Sequence, residues 1–395
     1  MSRRILIVHN DYQLAGGESN VAESDARLLT AHGDAVFFYR RDNREIASYS
    51  ALQKLRLAFA TFFSLRTVRE VRALIRKERI DVVHVHNTVP LISPSVYYAA
   101  WAENVPVVQT VHNYRLLCPN GMCYRDGRVC EECITHGLTR AVRYGCYRNS
   151  RAQSAILAGT IALHRLLGTY RRVEAYICLT PFGREKLAKK LPVTRLYIKP
   201  NTVQTEIAPL PYEAHGNAYV FLGRLDPEKG VWVLLKAFER LPDAALTIVG
   251  GGPEEAAMRA YITQHGMQNV TMAGQLSHAE ALSCVASARA LVMPTQWYEG
   301  LPLTVLEAFA LGTPVIGSLL GNVGATLSEY GGGVAFDQTS PEALATCIRT
   351  LADERLARAS EQGLAAARGA FAPERNYETL CEIYDAALAR RGGGA

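Results

Sequence analysis

No apolar run in this 395-residue chain reaches the ~18 residues that a membrane-spanning helix needs. The longest candidate, Ala152 to His164, stops at Arg165. The start, MSRRILIVHN, has two arginines but an apolar run far too short for a signal peptide, so it reads as a first strand and the protein as cytoplasmic. Asp-x-Asp is missing throughout, so a divalent ion bridging to a phosphate is not expected. No nucleic-acid reader motif occurs, and nucleic acid is not an expected partner. Charge is held to 20% of residues beside 49% hydrophobic ones, the make-up of an ordinary globular protein, and the length points to two domains.

The net charge of +6 hides an asymmetry. Residues 1–200 hold 30 Lys and Arg against 16 Asp and Glu, a net +14, and the remainder hold 13 against 21, a net −8. The excess is densest from His136 to Pro200, where 13 basic residues meet only Glu174 and Glu185. Solvated surface arginines account for it; so does an anionic partner of the N-terminal half, a phosphate-bearing lipid acceptor or the inner face of the cytoplasmic membrane, on which the protein would sit peripherally. A helix over Leu52 to Arg79 repeats Arg66, Arg69, Arg72, Arg76 and Arg79 at three and four residues, a face turned to solvent or to membrane.

The stretch Pro294 to Ser318, PTQWYEGLPLTVLEAFALGTPVIGS, reads as loop, helix and strand after the apolar strand Ala290 to Met293. Pro302 suits the first turn of the helix, whose N–H groups lack internal partners, and Gly312 suits its left-handed stop. Glu299 and Glu307 would lie ~12 Å apart if helical throughout, too far for the ~5 Å carboxyl pair of a retaining glycosidase. They suit two ends of a long ligand, with the amides of Leu303 and Thr304 between them as an anion site. An anionic centre with a hydroxyl-rich group on each side is a nucleotide sugar.

Glu-x7-Glu in the setting EGLPLTVLEAFALGTPVI resembles the signature of the retaining GT-B glycosyltransferases of family GT4, glycosyl transferases group 1. The resemblance implies an α/β chain of two Rossmann-like domains with parallel sheets facing a cleft, and hexosyl transfer from a nucleoside-diphosphate sugar, a UDP- or GDP-sugar, to a glycan or lipid-linked acceptor. It implies Glu299, beside Gly300, on the donor sugar's hydroxyls, Glu307 on the ribose diol, and Leu303 and Thr304 on the phosphates. A solvated loop Glu and an ordinarily paired helix Glu are the plainer alternatives.

The rest of the chain fits a strand–helix alternation. Ile5 to Val8 is an all-apolar run, the look of a parallel strand covered on both faces. Gly16 and Gly17 follow at the mouth of a helix, where amides can approach a phosphate; by resemblance this is the glycine loop that reaches the donor diphosphate or the acceptor. Later strands end in VHVHN and TVHN, placing His84, His86 and His112 near the carboxyl ends where α/β sheets gather ligands. His112 matches the family's histidine near the donor sugar and reacting centre. In the second half GRLDPEKG sets Arg224 and Lys229 on one strand–helix loop, able to converge on a diphosphate as a fork and a point charge; the family uses them to neutralise the leaving group. Gly251, in the loop Gly250 to Gly252, lies where the family encloses the nucleoside.

Between residues 114 and 147 the alternation stops, and five of nine cysteines fall there. Cys130-x-x-Cys133 has metal-knuckle spacing, flanked by Cys118 and Cys146, and four thiolates there would close a structural zinc site. Buried reduced thiols or an iron–sulfur cluster are the alternatives. A subset of the family with CPNG, C-x-x-C and CYR resembles this stretch and leaves Cys123 out as a non-ligand. The expected organisation is therefore an N-terminal acceptor-side domain over 1–200 with the insertion 114–147, a linker over 201–217, a nucleotide-sugar domain over 218–370, and a C-terminal helix in 371–395 bracing the N-terminal domain. Catalysis would rest on His112, Glu299, Arg224 and Lys229 with no catalytic cofactor or metal. A nucleotide-sugar epimerase, or a non-catalytic nucleotide-sugar-binding protein, would use the same motifs.

Overall fold

The computed structural model describes residues 2–13, 16–337 and 339–392, and the chain divides into two units. The first comprises residues 1–123, 131–200 and 376–395, and the second residues 124–130 and 201–375.

Parallel strands buried on both faces build each sheet, which is why they read as unbroken apolar runs. In the first unit β1 (Arg4–Asp11), β2 (Ala35–Asp42), β3 (Val82–Val85) and β4 (Val107–Val111) precede the insertion, whose hairpin, β5 (Tyr124–Arg125) and β6 (Arg128–Val129), groups with the second unit. The hairpin turn is Asp126-Gly127, both left-handed, the chemistry a two-residue turn demands. β7 (Ala175–Cys178) and β8 (Leu196–Ile198) complete the sheet, in the order β2-β1-β3-β4-β7-β8. The C-terminal helix Pro373–Gly392 adds Leu380, Ile383, Tyr384 and Ala387 to the core formed by Ile5, Ile7, Val82 and Ile177.

The second unit holds β9 (Tyr219–Leu222), β10 (Leu246–Val249), β11 (Val270–Gly274), β12 (Ala290–Met293), β13 (Val315–Ser318) and β14 (Gly333–Phe336), in the order β11-β10-β9-β12-β13-β14. Every pairing in both six-stranded sheets is parallel. The order reverses between β1 and β3 in one sheet and between β9 and β12 in the other, and it is outside the carboxyl ends at such switch points that open α/β sheets take ligands.

Three local expectations change. The helix expected over Leu52 to Arg79 is two helices, Ala51–Phe62 and Leu65–Glu78. Phe63 is extended and the Ser64 hydroxyl accepts from the Thr67 amide, so a serine cap starts the second helix. Pro302 stands at the N-cap of the helix Leu303–Leu311 rather than in its first turn. The segment 201–217 begins pinned inside the second unit, where Asn201 Nδ2 donates to the Leu301 carbonyl at 3.0 Å and Thr202 Oγ1 to that of Phe371 at 2.7 Å.

Candidate functional site

In the second unit the strands at the switch point run into loops that carry charge. β9 leads through Gly223 and Arg224 to the single turn Pro227–Lys229 and then Gly230, whose φ is +75°. A Cβ on Gly230 would stand 1.8 Å from the Pro294 carbonyl oxygen. Only glycine allows the Arg224–Lys229 loop to press this closely on the end of β12.

That contact brings Lys229 to the glutamate loop. Lys229 Nζ meets Glu299 Oε1 at 2.7 Å. The same oxygen accepts from Trp297 Nε1 at 2.8 Å and Thr295 Oγ1 at 3.2 Å, and Asn322 Nδ2 donates to the Glu299 carbonyl. Lys229 Nζ also lies 5.6 Å from the Trp297 ring centre, a cation–π distance. Glu299 is only 5% exposed. Three donors therefore fix one carboxylate oxygen, and among the described residues the other, Oε2, accepts from none. Gly300 follows it directly in the loop.

Arg224 is about half exposed and pairs with Asp226 at 2.9 Å, an exchangeable contact in solvent. Pro302 offers no side-chain cap, so the Leu303 and Thr304 amides at the start of the next helix remain donors at a positive dipole end. Glu307, one turn further, is buried; burial raises its pKa and His278 Nε2, 3.3 Å away, opposes the rise. Among the described residues, Glu299 and Glu307 share no side-chain partner. In the loop after β10, Gly250 and Gly252 are required by close backbone approach to Gly223 and Leu225, whereas a Cβ on Gly251 meets only ordinary contacts.

The first unit gathers titratable groups of another kind. His86 Nδ1 and His112 Nε2 share a hydrogen bond of 2.9 Å, and His84 lies between the hydroxyls of Thr110 and Tyr384, 2.8 Å from each. Behind them Asp25 Oδ1 accepts from Lys199 Nζ at 3.0 Å, both residues almost fully buried. Asp25 Oδ2 and His86 Nε2 face each other at 3.8 Å, and neither has another partner among the described residues. Burial lowers the pKa of His112 to about 4 and holds His84 and His86 well below the ordinary value, so the three imidazoles are neutral at pH 7. His112 also lines a cavity with Asn87, Tyr97, Gln109, Arg115 and Thr160. Gly16 and Gly17 stand at the N-terminus of the helix Gly17–Ala31, which likewise has no side-chain cap; residues 14 and 15 lie outside the described ones.

Asp25, His84 and His86 are, among the described residues, the one group of three metal-capable side chains within 4.8 Å of one another. A cation fits poorly there, since Lys199 already occupies the carboxylate and both His84 nitrogens are engaged. Among the described residues, the sulfurs of Cys118, Cys130, Cys133 and Cys146 do not all lie within 4.8 Å of one another, although Cys133 feels Cys146 electrostatically. The Cys118 thiol shares hydrogen bonds with those of Cys123 and Cys133, which draws its own pKa down to about 3 and pushes theirs up. Cys123, read as the spare thiol, takes left-handed backbone and meets Cys118.

Comparison with known proteins now bears on these loops. Residues 15–207 match the model of Glycosyltransferase Family 4 and residues 204–366 that of Glycosyl transferases group 1. By its domains the chain belongs to the family 4 glycosyltransferases. A glycogen synthase of Mycobacterium tuberculosis is 34% identical to this glycosyltransferase chain over 155 residues, 37% of each protein. A GDP-mannose-dependent alpha-(1-6)-phosphatidylinositol monomannoside mannosyltransferase of Mycolicibacterium smegmatis is 33% identical over 158 residues, covering 37% of this chain and 41% of the relative. The chain thus spans about four-tenths of the length of the curated relatives it matches. Among solved structures, sucrose-phosphate synthase of Thermosynechococcus elongatus superposes with a TM-score of 0.71 at 17% identity, covering 98% of this chain and 100% of its own. Anabaena HepE in complex with UDP does so with a TM-score of 0.67 at 16% identity, covering 97% and 99%. These likenesses fix the fold as GT-B.

Sequence reasoning missed Thr295, Trp297 and Asn322, the residues that orient Glu299, and the buried pair Asp25–Lys199. A signal for Asp25 was present. It sits on the apolar stripe Val21, Ala22, Ala26, Leu28, Leu29, where an unpaired carboxylate is costly.

Proposed function

We propose that the chain transfers a hexose from a UDP- or GDP-sugar to a hydroxyl of a glycan or lipid-linked acceptor, with retention at the anomeric carbon and no divalent metal in catalysis. Bacterial polysaccharide, lipopolysaccharide or glycolipid synthesis is the setting we assign to it, at the cytoplasmic side of the membrane. The observation that carries this reading is the half-occupied Glu299: Oε1 is held by Lys229, Trp297 and Thr295, and Oε2 is open to a sugar hydroxyl. The relative named for GDP-mannose and the neighbour crystallised with UDP support a nucleoside diphosphate donor.

In this reading the diphosphate replaces Glu299 as a partner of Lys229 and Asp226 as a partner of Arg224, while the Leu303 and Thr304 amides meet its oxygens. The two cations and the helix end supply the stabilisation of the leaving group. Glu307 takes the ribose diol, with Gly251 beside the nucleoside and Gly16 and Gly17 on the diphosphate or acceptor. A phosphate oxygen receives the proton of the attacking hydroxyl. Hydrogen-bond arithmetic gives His112 its role. If His86 directs Nε2–H toward Asp25, its Nδ1 accepts, His112 Nε2 donates, and His112 Nδ1 is left as an acceptor for a substrate hydroxyl.

A structural zinc on Cys118, Cys130, Cys133 and Cys146 enters no step; one zinc per chain in purified protein, lost in Cys146→Ser, would restore that set. Catalysis is tested by nucleoside diphosphate release from a panel of UDP-, GDP-, ADP- and TDP-sugars, in EDTA, with and without bacterial lipid extract. Release from one donor, raised by the extract, is expected. Silence across the panel despite nucleotide binding would favour a non-catalytic binding protein.

A further inference from the structure

Two helices of the first unit, Ala51–Phe62 and Arg151–Leu166, lie side by side: His164 Nε2 bonds the Phe62 carbonyl at 2.8 Å, and a Cβ on Gly159 would touch the Phe62 ring at 3.0 Å. The outward side of this pair is apolar. Leu52 and Leu55 are each 57% exposed and Phe59 71%, at positions i, i+3 and i+7 of one stripe. Leu65, at the start of the following helix, is 77% exposed, and Leu166 and Leu167, at the end of the second, 85% and 57%. A helix stripe of this kind ordinarily turns to a core, and a contiguous exposed one marks an interaction surface.

The charge around the stripe identifies what covers it. Residues 46–69 contain no Asp or Glu and four basic residues, and residues 133–173 contain none and seven. Lys54 and Arg56 stand exposed on the apolar helix itself, and Arg148, Arg151, Arg171 and Arg172 are exposed around the second. A second copy of this chain would set cations against cations. By contrast, three of the four arginines on the next helix, Leu65–Glu78, are engaged: Arg66 by Glu70, and Arg72 and Arg76 by Glu103. No helix among the described residues is long and apolar enough to cross a membrane.

We propose that this face docks in the plane of an anionic lipid surface, with Leu52, Leu55 and Phe59 entering the acyl boundary and the surrounding cations meeting headgroup phosphates. The proposal deepens the lipid-linked acceptor reading above, yet its test needs neither donor nor acceptor. The full chain is sedimented with vesicles of phosphatidylcholine alone or mixed with phosphatidylglycerol. We expect binding about tenfold tighter to the anionic vesicles, weakened by salt, and reduced by about tenfold again in Leu55→Ser/Phe59→Ser. Circular dichroism and nucleoside diphosphate affinity of that variant should match the parent. Should it not fold, Lys54→Glu/Arg56→Glu keeps the apolar stripe and must lose the preference for anionic vesicles. Equal binding to both vesicle types, unchanged binding of a folded variant, or a dimer that the same substitutions dissolve would each overturn the proposal. Vesicle binding with no sugar transfer would leave this inference standing and remove the catalytic one.

Discussion

In the second unit the polar groups of the site stand on loops and a helix end, paired in contacts that a ligand can take over; in the first unit they are sealed into a core as neutral rings and one buried ion pair. Arg224 is half exposed, so in the proposed reading a diphosphate displaces its Asp226 partner at small cost in desolvation, and Lys229, when it turns to the diphosphate, leaves the buried Glu299 oxygen to Trp297 and Thr295. Asp25 and Lys199 have no such freedom, because removing either leaves a charge with no water to solvate it. In the proposed reading, a substrate charge is met by groups that can exchange partners, whereas the histidine tautomer is set by groups that cannot.

Acid should break that contrast most strongly, and from the first unit's side. Burial lowers the pKa of His9 and His112 to about 4 in the folded chain against 6.5 when unfolded, and holds His84 and His86 well below 6.5 too. Between those values the unfolded chain binds more protons, so stability is full above pH 6.5 and falls as pH drops toward 4. A shift of that size corresponds to on the order of 3 kcal/mol per histidine, and urea midpoints measured across this window should fall accordingly. A flat profile would mean that the rings are solvated.

Asp25→Asn comes next, with an expected loss of ~3–5 kcal/mol in urea unfolding as Lys199 is left unpaired. Nitrogen NMR of His112 separates this from a purely structural effect. An Asn amide aimed at His86 Nε2 reverses the donor order and moves the His112 proton to Nδ1. Asp25→Asn/Lys199→Met should recover much of the stability.

On the other unit, Lys229→Ala should lower transfer by ~100-fold, the usual scale for one charge-stabilising donor, with nucleoside diphosphate affinity reduced too. Glu299→Ala should lower transfer as much while leaving that affinity within about threefold, a split visible in product release against calorimetry. Unchanged transfer in Glu299→Ala refutes its assignment. Gly230→Ala forces a left-handed alanine into the Pro294 carbonyl, and thermal unfolding should show a loss of ~2 kcal/mol or more. The smallest change is expected of Glu307→Gln: about tenfold weaker nucleotide binding, ~1.4 kcal/mol, with little effect on stability because burial already disfavours its charge.

Much of the second unit's site was legible because it is local. Glu299, Gly300, Leu303 and Glu307 fall within nine residues, and Arg224 and Lys229 share one turn, so strand ends and a proline at the helix entry locate them. Their orientation was less legible: that Trp297, Thr295 and Lys229 all bind the same oxygen depends on how closely Gly230 lets two loops approach. The first unit's strand-end histidines were readable one by one, but not their chain of bonds. Asp25 and Lys199 are 174 residues apart, and His84 meets Tyr384 across 300. The break after Phe62 was missed although Ser64, ahead of an amphipathic run, is a cap signal.

The sequence by itself determined two parallel α/β sheets, the charged loop and helix start of the second, and the excess of cations in the first half. These follow from periodicity, glycine and proline placement and charge counts, all properties of neighbouring residues. Tertiary structure decided which oxygen of Glu299 is free, which thiols touch, that His112 lines a cavity, and that an apolar helix stripe stays at the surface. Each of these depends on distances between residues far apart in the chain, which packing fixes and local pattern does not carry.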